Sequence, residues 1–137
     1  MKNLFVLILF VLLSSCTNHK IVKIEALEGY WEVKYITEKG EQFTPKTTAL
    51  LYDHYQMNYP KGLLKKVAPN PDGTFSTSED ATLFELEKVE KNYFIHFKSR
   101  WDEWSRKILY LDQEQLVLEN DNREFYYKRP YQKTSNE

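Results

Sequence analysis

The sequence has one cysteine, four glycines, two methionines and no surplus of basic charge in its 137 residues. With Cys16 alone, no intramolecular disulfide can form, and no Cys/His spacing suits zinc. The formal net charge is −1, with Lys and Arg spread along the chain, which excludes the basic footprint that nucleic acid demands. The scattered glycines build no phosphate-cradling loop, and no serine stands in a nucleophile-elbow context. The histidines, His19, His54 and His96, share no metal-site spacing. Asp53-His54 reads as a polar turn rather than an acid–base dyad. The reading is therefore of a protein that is not an enzyme, with no catalytic residues, no metal and no cofactor.

Long apolar runs are also lacking. The longest spans residues 4–13, well below the ~20 residues a membrane-spanning helix needs. After Met1-Lys2-Asn3 it has the length and position of a signal-peptide hydrophobic region. Leu13-Ser14-Ser15-Cys16 follows at once and resembles the lipobox of bacterial lipoproteins. The resemblance implies that residues 1–15 are a signal peptide and that Cys16 becomes the lipidated N-terminus. Their removal takes away only Lys2, leaving 18 basic against 20 acidic residues, a net of −2. Without a polybasic patch the acyl chains must hold the membrane, and more than one chain is needed for that. Residues 16–23 read as the lipidated cysteine and its tether, reaching at most ~25 Å from Thr17. No acidic run follows Cys16, so the expected location is the cell envelope, on the outer membrane and facing the periplasm.

What the chain does have is aromatic and alternating sequence. Hydrophobic residues make up 42% and aromatics 15%, enough for a core in one domain, expected over residues 24–130. Gly29-Tyr30-Trp31-Glu32-Val33-Lys34-Tyr35 alternates with period two, placing Trp31, Val33 and Tyr35 on one face of a strand. Residues 24–28 read as one helical turn before it. Further strands are expected over residues 47–53, 55–59, 63–68, 74–77, 82–90, 92–100, 105–111, 115–120 and 123–129. Asp53-His54 would turn the chain between the first two of these. Pro69-Asn70-Pro71-Asp72-Gly73 is the strongest turn signal. Residues 131–137 read as a polar tail. About eight strands with turns every eight to twelve residues predict an all-β fold, a small up-and-down antiparallel β-barrel whose closure removes exposed edges.

Gly29-x-Trp31 at the head of the first strand, after a helical turn, resembles the N-terminal signature of the lipocalins. With the lipobox and the Tyr126-Tyr127-Lys128-Arg129-Pro130 ending, the chain is similar to the lipocalin-like lipoproteins of Bacteroidetes-type bacteria. The resemblance implies that Trp31 plugs one end of the barrel. It also implies a basic residue from the last strand across the indole, Arg129 or, failing that, Lys128.

An eight-stranded barrel has room for side chains or one small ligand. Tyr35, Tyr52, Tyr55, Met57, Phe84, Tyr93 and Phe97 are the candidate ligand-binding residues, expected inside with Trp31, Val33, Leu50, Leu86 and Ile95. Trp101 and Trp104, paired near a hairpin tip, are candidate surface residues. Two readings follow. One is a membrane-tethered protein holding a small hydrophobic or amphipathic molecule in the barrel. The other is an envelope interaction or inhibitor module with a filled barrel, working through its surface.

Overall fold

The computed structural model describes residues 21–46 and 50–130. The expected signal peptide, Cys16, most of the expected tether, residues 47–49 of one expected strand and the expected tail lie outside the described residues. A 3₁₀ turn (Ile24–Leu27) leads into ten strands. They are β1 (Gly29–Glu38), β2 (Glu41–Phe43), β3 (Tyr52–Asn58), β4 (Lys61–Pro69), β5 (Phe75–Thr77), β6 (Thr82–Val89), β7 (Asn92–Lys98), β8 (Glu103–Leu111), β9 (Gln115–Asn120) and β10 (Arg123–Lys128). Strands β1, β3, β4, β6, β7, β8, β9 and β10 follow one another antiparallel, and β10 returns to β1 from Glu32↔Lys128 to Glu38↔Arg123. The result is the closed, eight-stranded up-and-down barrel that the alternation predicts. The short strands β2 and β5 are additions, one on the edge of β1 and one on the edge of β4.

One end is shut. Leu27, Trp31, Tyr55, Ile95, Leu111, Leu116 and Leu118 are fully buried there and in the lower barrel. Trp31 donates its indole N–H to the Leu27 carbonyl at 2.9 Å, which fixes the 3₁₀ turn across the opening. Residues 21–23, expected in the tether, join the base: Val22 forms a parallel bridge with Leu111, and Lys23 N–H donates to the Leu111 carbonyl.

Gly62 lets the interior close. A Cβ there would run into the Phe84 ring and the Gln56 carbonyl oxygen. The ring occupies the space the glycine leaves, and the Tyr55–Phe84–Phe97 aromatic row packs beside it.

Three expectations are corrected. Asp53-His54 is no turn but lies within one continuous strand, β3, so no break separates residues 53 and 55. Leu50 lies before that strand and is exposed rather than inside. Tyr35 is not on the Trp31 face. The β1–β10 register shifts between Val33 and Tyr35, so Lys34 is the extra residue and the alternation reverses past it. Val33 pairs with inward Tyr127, whereas Tyr35 pairs with Tyr126 and stacks on it outside the barrel at 4.4 Å.

Candidate functional site

The end opposite Trp31 is open. It is framed by the β1–β2 and β9–β10 turns, the β4–β6 connection and the β7–β8 turn. Inside this mouth is a cup of about 290 Å³ lined by Asp53, Leu64, Lys66, Ser78, Asp80, Thr82, Phe97, Trp104 and Arg106. Cross-strand register explains the membership. Asp53 pairs with Lys66, Leu64 with Thr82, and Phe97 with Trp104, so each pair shares the inward face. Leu64, Phe97 and Trp104 form the apolar wall, the two rings stacked with centroids 5.2 Å apart.

Four charged side chains line the cup, Asp53, Lys66, Arg106 and the exposed Asp80. Asp53 is buried, only 4% exposed, and its carboxylate accepts an ion pair from the Lys66 ammonium. Lys66 stands at the rim with its side chain 58% exposed. Arg106 points into the barrel between rings, its guanidinium 4.4 Å from the Phe125 centroid and 6.0 Å from that of Phe97. It donates from Nη1 to the Tyr127 hydroxyl at 3.0 Å. Among the described residues its buried Nε has no acceptor, and the buried Tyr55 hydroxyl likewise has no partner. Burial pushes the Tyr55 and Tyr127 hydroxyls well above the ordinary tyrosine range, with the Asp53 charge adding to the effect. Both phenols stay protonated and can donate.

The expected ligand residues divide. Tyr55 and Phe84 are buried in the interior row, Phe97 lines the cup, and Met57 and Tyr93 pack on the core. Tyr35 lies outside, and so does Tyr52. Tyr52 is buried not by the barrel interior but by Phe75 of β5, which meets its edge and stacks on Tyr30, itself stacked on His54. Trp101 and Trp104 are not a surface pair. Trp101 is 85% exposed on the β7–β8 turn, while Trp104 has turned inward on β8.

Asp53, Lys66 and Arg106 were not anticipated as site residues. Their signal was present: each is a charged residue at a position whose neighbours two away, Tyr55, Leu64 and Trp104, face inward. A second unanticipated row, Glu87–His96–Ser105, crosses the outside of β6, β7 and β8. His96 meets the Ser105 hydroxyl through Nδ1 and Glu87 through Nε2, both at 2.6 Å. The row is a polar cross-strand ladder on the outer face. Among the described residues no three His, Cys, Asp or Glu side chains gather as a metal site.

At the closed end, Arg129 lies over Trp31 and reaches three carbonyls, those of Ala26, Tyr30 and Gln113. Gly29 makes the approach feasible. Its φ is +115°, and a Cβ there would come 2.9 Å from Arg129 Nη1. The Lys128 side chain instead pairs with Glu32.

No protein-family model matches the chain, and a comparison with curated proteins finds no match. Among solved structures, a lipocalin-like protein from Bacteroides uniformis superimposes with a TM-score of 0.48 at 13% identity, covering 76% of this chain and 98% of its own. An uncharacterized protein from Bacteroides eggerthii gives 0.47 at 10% identity, covering 75% and 98%. The closure into eight strands rests on this chain's own ladders and not on either likeness.

Proposed function

We propose that this protein is a lipid-anchored component of a bacterial cell envelope that binds a small hydrophobic or amphipathic molecule in the barrel mouth. The observation that carries the reading is the cup itself, a concave space with an apolar ring wall and a few convergent polar groups. It lies above a base packed solid by Trp31, Leu27 and the lower core. The lipobox-like leader supports lipid on Cys16 and an outer-membrane location facing the periplasm. Residues 21–23 are held at the closed base. Only residues 17–20 separate them from Cys16, a reach of at most ~14 Å. The base is thus held toward the bilayer and the mouth away from it.

Gentle native mass spectrometry of the protein purified from its own membranes tests the binding reading. A bound small molecule is expected, and a consistently empty protein would count against it. Cys16→Ala is expected to abolish palmitate labelling; continued labelling would sink the anchor.

A second reading, an interaction or inhibitor module, is favoured by one observation: Trp101 stands in solvent with the Arg100 guanidinium 5.1 Å over its ring. Capture of one envelope protein by the wild type and not by Trp101→Ala would support it. Equal capture by both would remove it.

A further inference from the structure

The cup is lined by two carboxylates, Asp53 and Asp80, and two cations, Lys66 and Arg106. Asp53 and Lys66 neutralise each other. Among the described residues no carboxylate lies within ion-pair distance of Arg106. We propose that Arg106 receives the carboxylate of a small organic anion whose apolar part lies against Leu64, Phe97 and Trp104. The proposal rests on the binding reading above and names the chemistry of its ligand.

The donors carry the argument. Only Nη1 of Arg106 is engaged, by Tyr127. Nε is buried without an acceptor, and no acceptor for Nη2 is found among the described residues. Nε and Nη2 form one edge of the planar guanidinium, two parallel N–H groups spaced to meet both oxygens of a carboxylate. The guanidinium lies 4.4 Å from the Phe125 ring centre and 6.0 Å from that of Phe97. The Tyr55 hydroxyl adds another unpartnered buried donor, within electrostatic reach of Arg106, Tyr127 and Asp53. The guanidinium edge and the Tyr55 hydroxyl thus have no acceptor among the described residues, an arrangement an anion completes and a neutral hydrocarbon leaves costly.

Size follows from the packing below. Ile95, Leu116, Leu118 and Trp31 leave no exposed surface in the lower barrel, so no long acyl chain can descend beyond the cup. At about 290 Å³ the space lies at the small end of ligand pockets. An aryl or short-chain carboxylate fits it, and a long-chain fatty acid does not.

Isothermal titration of the purified protein with phenylacetate, phenylacetamide and dodecanoate decides the matter. Phenylacetate is expected to bind at least about tenfold tighter than the amide, because the amide cannot accept both N–H groups as an anion. Dodecanoate is expected to bind no tighter than phenylacetate. Arg106→Met is expected to lose about tenfold for the acid and to leave the amide unchanged. Arg106→Lys, which keeps the charge but not the fork, should fall between and guards against misfolding of the methionine variant. Equal binding of acid and amide overturns the anion proposal while leaving a neutral-ligand cup. Absence of binding by either probe at millimolar concentration also overturns it. The broader binding reading then stands or falls on what copurifies.

Discussion

The Arg129 guanidinium lies 3.7 Å from the centre of the Trp31 ring, while two of its nitrogens hold the carbonyls of Ala26 and Tyr30. One side chain thereby ties the last strand's end to the 3₁₀ turn and to β1, and closes the base. Arg129→Ala is expected to cost about 3 kcal/mol, from lost charge-assisted hydrogen bonds and the cation–π contact. Urea unfolding measures this, and a loss below about 1 kcal/mol would show the base holds without it.

Gly29→Ala tests why that strand opens on glycine. The new methyl meets Arg129 Nη1 and a φ of +115° at once. A cost of about 1–3 kcal/mol is expected from the backbone alone, with the clash added. In an Arg129→Ala background the clash vanishes and the strain remains. A double-mutant cycle should therefore give a coupling of about 1 kcal/mol, and strict additivity would refute the steric part.

Arg106→Met is expected to be neutral or stabilising in the ligand-free protein, by up to about 2 kcal/mol. It removes a half-buried charge with no ion-pair partner among the described residues and fills the same space with an apolar side chain. A clear fall in Tm would show that Arg106 serves the architecture of the mouth rather than a ligand.

The two tip tryptophans should part company. Trp101→Ala is expected to change stability by less than about 0.5 kcal/mol, since the ring stands in solvent. Trp104→Ala removes a ring stacked on Phe97 and should cost about 2 kcal/mol. Similar losses in both variants would contradict the inward turn of β8.

His54 gives a pH signature. Burial beside Tyr30 lowers its pKa, and the Lys65 charge acts in the same direction while Glu28 opposes. The folded state thus binds the proton less readily than the unfolded chain. This contribution to stability is present above the unfolded value of about 6.5 and is lost as pH falls from there through the folded pKa. The Tm difference between wild type and His54→Phe should therefore shift against the wild type between pH 7.5 and pH 5. A pH-independent difference would exclude the effect.

Much of the barrel was legible because its signals are local. Alternation placed Phe84, Leu86, Ile95 and Phe97 on inward faces, and each hairpin bears turn residues. The errors came where a non-local event overrode the period. Tyr35 was misplaced because one extra residue at Lys34 reverses the face of β1, and the bulge exists only in relation to β10. Tyr52 was correctly read as buried and wrongly read as interior. Its cover is Phe75, more than twenty residues away on a strand of three residues. Asp53-His54 resembled a turn because both residues are polar. The Lys66 ammonium is what lets a carboxylate sit inside β3.

By itself the sequence determined a β fold of about eight antiparallel strands headed by a buried tryptophan. Period two, turn chemistry and hydrophobic content are properties of neighbouring residues, and they act before the chain folds. Only the tertiary structure decided that the base is solid, that the mouth is hollow and that Arg106 lies inside it with no ion-pair partner among the described residues. Those facts depend on register across strands distant in sequence, where a one-residue shift exchanges inside for outside and a missing Cβ at Gly62 admits a ring.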